Sequence, residues 1–189
     1  MDESGSMPWF PAWGINFSEP IEDTGIIVSV FNKWRPNDRW LLLSYHAACS
    51  EIRLWTAWAA LRRREVADRM IARTPDAEFL RLISGTRQLS TAFERAGVSK
   101  GDKKAWIVHL PDYDLGENFG ETEIQRSAYS DNDLLATRLI EHLGVILLAK
   151  RPIPSNEGLI RLGALKPKES IDDSFREDAF LTHTALVDM

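Results

Sequence analysis

Glu78-Phe79-Leu80-Arg81-Leu82-Ile83-Ser84-Gly85-Thr86-Arg87-Gln88-Leu89-Ser90-Thr91-Ala92-Phe93-Glu94-Arg95-Ala96-Gly97 is the stretch on which the fold turns. Its first seven residues have the length and composition of a β-strand, and Gly85 stops it. From Thr86 onward Leu89, Ala92, Phe93 and Ala96 fall on one helical face, with Gly97 placed as a C-cap. The stretch predicts a strand, a glycine turn and a helix. Downstream, Ala105-Trp106-Ile107-Val108-His109-Leu110 predicts another strand, closed by Pro111. The acidic run from Asp112 to Glu123 has no apolar period and reads as an exposed loop. Ser130 with Asp133 forms a capping-box pattern for a helix through Leu134, Leu135, Leu139 and Ile140 to Leu143, ended by Gly144. Pro152 and Pro154 mark a loop, and Asp172 to Ala185 reads as a last helix carrying Phe175, Ala179, Phe180 and Leu186.

Upstream, Gly25-Ile26-Ile27-Val28-Ser29-Val30-Phe31 is short, β-branched and bounded by turn residues, which predicts a strand. Pro36-Asn37-Asp38 breaks the chain. Trp40 to Tyr45 then opens either a long helix running to Arg64 or a buried strand followed by a helix from Ser50, and periodicity does not choose between them. Ser50 before Glu51 suits an N-cap with an acid in the first turn. Ile52, Trp55 and Ala59, flanked by Leu54, Trp58 and Leu61, give an apolar face that ends at Arg62-Arg63-Arg64. Residues 1 to 21 contain Pro8, Pro11 and Pro20 among Trp9, Phe10, Trp13 and Phe17, and no period survives those prolines. They read as an N-terminal extension, wrapped back through its aromatics in preference to docking on a partner. Residues 22 to 189 form one globular domain. The fold class expected is α/β (α+β), with one mixed, partly antiparallel sheet of about four or five strands packed with helices.

At 189 residues with 44% hydrophobic and 27% charged content, one domain is the default, and a mean hydropathy of −0.25 is too apolar for disorder. No apolar run approaches the ~20 residues of a membrane span, so no membrane partner is expected. The single cysteine, Cys49, excludes an internal disulfide and the multi-cysteine metal patterns. Met1-Asp2-Glu3-Ser4 lacks the basic start of a secretory signal, and the expected location is cytoplasmic. The net charge of −5 is unevenly spread. Residues 33 to 104 hold 15 Lys/Arg against 8 Asp/Glu, leaving 8 against 20 elsewhere. Such a basic centre is either a chance cluster of solvated faces or a local site for a polyanion.

No Gly-rich dinucleotide fingerprint, phosphate-loop Gly-Lys-Ser/Thr, His-Glu-x-x-His, Gly-x-Ser-x-Gly or Cys pair occurs, so no cofactor and no metal is expected. His46 with Cys49 is a conceivable nucleophilic pair, set against a small buried core cysteine and a histidine that satisfies a backbone carbonyl. His109 alternates with the apolar positions of its strand, and Trp55 and Trp58 read as core. Ser84-Gly85-Thr86-Arg87-Gln88 carries more chemistry. A helix opening after a glycine turn presents unpaired amides and the positive end of its dipole, and Arg87 adds a forked donor. That suits a phosphate, with Arg81 and the triplet Arg62, Arg63 and Arg64 as further contacts. The alternative is that Thr86 only caps the helix and Arg87 is solvated.

Glu78 to Val98 resembles the signature block of the PRPK-binding protein family, the tRNA-binding accessory subunit of the KEOPS complex, in its archaeal members. The shared features are an acid at the start, Gly-x-Arg-Gln followed by an aliphatic residue, Ala92, and Gly97-Val98 closing the helix. Ala48, Ser50-Glu51, the strand ending Ile107 to Leu110, and the final stretch to Thr184-Ala185-Leu186-Val187-Asp188 resemble it more loosely. Residues 1 to 21 have no counterpart, and Ile52 replaces a histidine of the archaeal pattern. The resemblance implies that Trp40 to Tyr45 is a strand and that the helix starts near Ser50. It implies a noncatalytic subunit that supports threonylcarbamoyladenosine modification of tRNA. Its partners would be the KEOPS kinase/ATPase, the tRNA CCA end and, indirectly, the threonylcarbamoyl transferase. Gly85, Thr86, Arg87 and Gln88 would contact the CCA strand, and the last helix, with Phe180 and Leu181, would meet the kinase. A kinase-binding regulatory adaptor without RNA binding is the alternative.

Overall fold

Ala12–Asn16 (β1) lies in the middle of the sheet, between β3 (Lys104–His109) and β4 (Ile146–Leu148). The computed structural model, which describes residues 9–114 and 122–188, completes the sheet with β2 (Trp40–Ser44) in the order β2-β3-β1-β4, all three pairings antiparallel. The helices are α1 (Thr24–Trp34), α2 (Glu51–Val66), α3 (Pro75–Ile83), α4 (Leu89–Ala96), α5 (Ser127–Ser130), α6 (Asp133–Leu143), α7 (Asn156–Arg161) and α8 (Asp173–Ala185). The α+β class expected from the sequence is the class that forms.

The expected N-terminal extension is corrected by β1, which makes part of residues 1 to 21 an inner strand. Gly14 allows it. A Cβ there would meet the Trp106 ring at 3.1 Å and Leu148 Cβ at 3.3 Å, so a side chain would press the neighbouring strands apart. Where the chain enters β1, Arg151 donates to the carbonyls of Phe10 and Ala12 and pairs with Glu51 at 2.6 Å, while the Phe10 N–H donates to the same carboxylate. Residues 1–8, and positions 115–121 of the expected acidic loop, lie outside the described residues.

Two expected strands are helices. In α1 the Asp23 carboxylate accepts from the Gly25 and Ile26 amides, and Phe31 is buried, so the cap and a helical period override the β-branched run. In α3, Pro75 stands in the first turn with Asp76 and Glu78 behind it, a helix-start signature. Phe79, Leu80, Leu82 and Ile83 are all buried, so the helix shows no polar face, and its apolar run imitates a buried strand. Trp40–Ser44 is a strand, and α2 starts after Ser50, whose hydroxyl accepts from the Arg53 amide at 3.2 Å. The helix expected from Ser130 starts instead after Asn132. Ser130 ends α5, and Gly144 stops α6 in the left-handed region at φ 66°.

The sheet buries both faces. Leu41, Leu43, Trp106 and Val108 pack under α2, α3 and α8, against Leu54, Trp58, Phe79 and Phe180. Trp13, Ile15, Trp40, Leu42 and Ile107 pack under α1 and α6, against Phe31, Leu139 and Ile140. Alternation along each strand therefore serves two apolar layers, and α3 with α4 forms a helical hairpin whose turn reaches the surface.

Candidate nucleic-acid interface

The turn from Ser84 to Gln88 joins α3 to α4. Ser84 is buried and its hydroxyl donates to the Arg81 carbonyl at 3.0 Å. Gly85 sits at φ 69°, and a Cβ there would lie 2.1 Å from His183 Cε1 of α8. Only glycine fits under that imidazole. The Gly85 and Thr86 amides donate to the carbonyls of Leu82 and Arg81, and the Gln88 amide to Thr86 Oγ1 at 3.2 Å. Gln88 is the N-cap of α4 and gives no side-chain cap, and Arg87 and Gln88 are exposed. Among the described residues the amides of Arg87, Leu89 and Ser90 have no hydrogen-bond partner. The corner is closed from within and open outward, with Arg87 beside unpartnered amides.

The turn is held from behind by a group that sequence reading missed. Arg53 of α2 is wholly buried, donates through Nη1 to the Phe180 carbonyl at 2.6 Å and through Nη2 to the Ile83 carbonyl, and lies 4.7 Å over the Phe180 ring. Burial lowers its pKa to about 10, which leaves it cationic at neutral pH. One residue thus ties α2, the end of α3 and α8 together. Burial, then the charges of Arg53 and Arg95, lower the His183 pKa to about 4, against a smaller opposing effect of its hydrogen bond with the Leu162 backbone. Its Nδ1 is buried without a partner among the described residues.

Of the expected RNA contacts, the structure brings Gly85, Thr86, Arg87 and Gln88 together and separates the rest. Arg81 is wholly buried and holds Glu78 through two hydrogen bonds of 3.1 and 2.6 Å, while its Nη1 donates to the Thr86 carbonyl at 3.3 Å. It shapes the turn from inside and offers nothing to a phosphate. Arg62 is buried against Glu65, Asp112 and the Tyr113 carbonyl. Arg64 lies 3.5 Å from Glu78, about 10 Å of helix before the turn. Arg63 is exposed on α2. The arginine triplet is therefore split between internal ion pairs and solvent.

The Glu78 carboxyl is wholly buried, which alone would raise its pKa. Hydrogen bonds from Arg81 and the Ala72 amide, with the charges of Arg81 and Arg64, outweigh that and hold it below the usual carboxylate range.

The expected kinase contact also changes. Phe180 is wholly buried under Arg53, so it is core, whereas Leu181 is half-buried. The exposed apolar groups of this end are Phe175 and Leu186, at 64% and 60% exposure. Neither His46 nor Cys49 forms the conceived nucleophilic pair. Burial pushes the Cys49 thiol up to about 12, and His46 Nδ1 lies 3.0 Å from Ser155 Oγ, the cap of α7. His109 stacks tilted on Trp40 at 4.7 Å, and burial, helped by the Arg39 charge, takes its pKa to about 4.

Among the described residues no group of three His, Cys, Asp or Glu is placed to hold a metal ion, and no helix is long and apolar enough to cross a membrane. No protein-family model matches the chain, and no curated protein matches it.

Proposed function

We propose that this chain is a noncatalytic, cytoplasmic accessory subunit of the KEOPS complex. It binds the 3′ CCA end of tRNA at the Gly85–Gln88 turn and the kinase/ATPase at the C-terminal helix, in support of threonylcarbamoyladenosine modification. The observation that carries this reading is the exposed corner at Arg87, where unpartnered amides and a free-standing guanidinium face solvent over a turn fixed from within. A phosphate there would take charge-assisted hydrogen bonds worth roughly 1.5–3 kcal/mol each. With Arg81, Arg62 and Arg64 engaged inside the fold, few phosphates are touched. The salt dependence of binding is then shallow, about −0.7 in log–log slope per phosphate on a single strand. The Arg87→Glu variant should lose roughly tenfold to a hundredfold in affinity for tRNA. Removing the CCA end from the tRNA should do the same to the unaltered chain. Unchanged affinity in both gel-shift experiments rejects the site.

The adaptor alternative draws on one observation, the exposed Phe175 among the carboxylates of Asp172, Asp173 and Asp178, a surface suited to a protein partner and not to RNA. A chain that recovers the kinase in a pull-down and shows no tRNA shift would establish that reading in place of the first.

A further inference from the structure

A slot of about 670 Å³ lies at the open end of the α3–α4 hairpin, away from the Gly85 turn. Leu41 and Leu42 of β2, an edge strand of the sheet, line it. One wall is α1, with Val28 and Phe31, and the other is the hairpin, with Leu80 and Phe93. Val28 is 39% and Phe93 50% exposed, so both walls present apolar surface to the opening.

The strand edge itself is unfinished. The Leu110 amide donates to the Arg39 carbonyl, and by the alternation of an antiparallel ladder Leu41 and Leu43 bond to β3 while Trp40 and Leu42 point outward. Trp40 is satisfied there, its amide by the Asn37 carbonyl and its carbonyl by Arg35 at 2.8 Å. The Leu42 N–H and C=O have no partner among the described residues, although Leu42 is buried. A donor and an acceptor on one residue, in the plane of a sheet and between two apolar walls, match the main chain of another strand.

Charge separates this ligand from a nucleic acid. The ionic groups lining the slot are Arg35, Asp76, Glu94 and Lys100, two of each sign, and Arg35 pairs with Asp76 at 2.5 Å. A polyphosphate would meet no net positive field there, whereas an uncharged main chain needs none. A strand added about 4.8 Å from β2 would point successive side chains alternately at α1 and at α4.

We infer that the slot binds an extended polypeptide segment with apolar residues at alternate positions, which adds a strand to β2 through Leu42. The site is independent of the RNA-contact reading, and Arg87→Glu leaves it intact. The test is selection of a random peptide display library on the full chain, counter-selected against the Val28→Glu/Phe93→Glu double variant. Alternating apolar sequences should be enriched. A synthetic copy should shift the Leu42 amide resonance of the unaltered chain and slow its hydrogen exchange at least about tenfold. N-methylation of the peptide residue facing Leu42 should weaken binding roughly tenfold or more. The inference is overturned by a selection that enriches nothing over the double variant, or by peptides that bind and leave the Leu42 amide unchanged. It is equally overturned by a CCA oligonucleotide that perturbs that amide where peptides do not.

Discussion

Replacing Gly85 by alanine tests whether the turn is set by the C-terminal helix. Two costs are separable. At φ 69° an L-residue occupies the left-handed region, which costs roughly 1–2 kcal/mol. The new Cβ would also lie 2.1 Å from His183 Cε1 and 2.4 Å from Nδ1, so the ring must retreat by about 1.3 Å to reach ordinary contact. His183 stands on α8, which Arg53 fixes to α3, and overpacking of this kind costs about 1–3 kcal/mol. The single variant should therefore lose about 2–5 kcal/mol, a large share of the 5–15 kcal/mol that holds an ordinary domain. His183→Ala removes the obstacle and leaves the dihedral cost. In that background Gly85→Ala should cost only about 1–2 kcal/mol, which gives a coupling of about 1–3 kcal/mol in a double-mutant cycle. Urea unfolding of the four proteins, followed by far-ultraviolet circular dichroism, measures it. Additivity within about 0.5 kcal/mol would mean that the imidazole does not rest on Gly85, and the link between α8 and the turn would fall with it.

Glu78→Gln leaves the wholly buried Arg81 facing a neutral amide, and it should destabilise the chain by about 3–5 kcal/mol in the same unfolding assay, while a loss below about 1 kcal/mol would show that the pair is not closed to solvent. The histidines set an acid limb. His109 and His183 fall from the ordinary 6.5 to about 4 on folding, so the unfolded chain binds more protons between those values. Stability is then complete above pH 6.5 and declines as the pH falls toward 4. The melting temperature should drop across that window, and His183→Asn should flatten part of the drop; a profile level from pH 7 to 4.5 would contradict the burial of both rings.

Elements whose signals are local were legible in the sequence. Ser50 and Glu51 announce α2, Gly144 stops α6, and the apolar run from Ala105 to Val108 lies in β3, where each face meets an apolar layer. The strand expected at Gly25 to Phe31 lost to a local signal, the Asp23 cap, whereas at α3 and β1 long-range packing overruled a short-range pattern. The run from Phe79 to Ile83 is buried all round, and its two charged neighbours, Glu78 and Arg81, bond to each other inside the core, so no polar face revealed a helical period. Pro75 followed by Asp76 and Glu78 was the available cue. β1 was hidden in the opposite way. Prolines at 11 and 20 and a glycine in its centre resemble a tail, but Gly14 is needed where Trp106 crosses, and Arg151, more than a hundred residues away in sequence, secures the strand's entry.

The same distinction divides the candidate site. Gly85 to Gln88 could be found because a glycine, a hydroxyl and an arginine ahead of an amphipathic segment imply a turn with open amides whatever surrounds it. Arginines cannot be sorted that way, since charge alone does not tell whether a guanidinium faces solvent or backbone. The cluster Arg62-Arg63-Arg64 looked like a phosphate surface, yet Arg62 turns to Glu65 of its own helix and to Asp112, and Arg64 turns to Glu78 because α2 packs against α3 along that side. Arg53 stood between Ile52 and Leu54 on an apolar face, which was its signal. A charge in that position must find acceptors, and the carbonyls left unpaired at a helix C-terminus are the acceptors a fold has to spare. Ile83, the last residue of α3, supplies one. The arginine that best explains the shape of the turn is thus the one that never reaches its surface, and the arginine exposed there, Arg87, is the one left to meet a ligand.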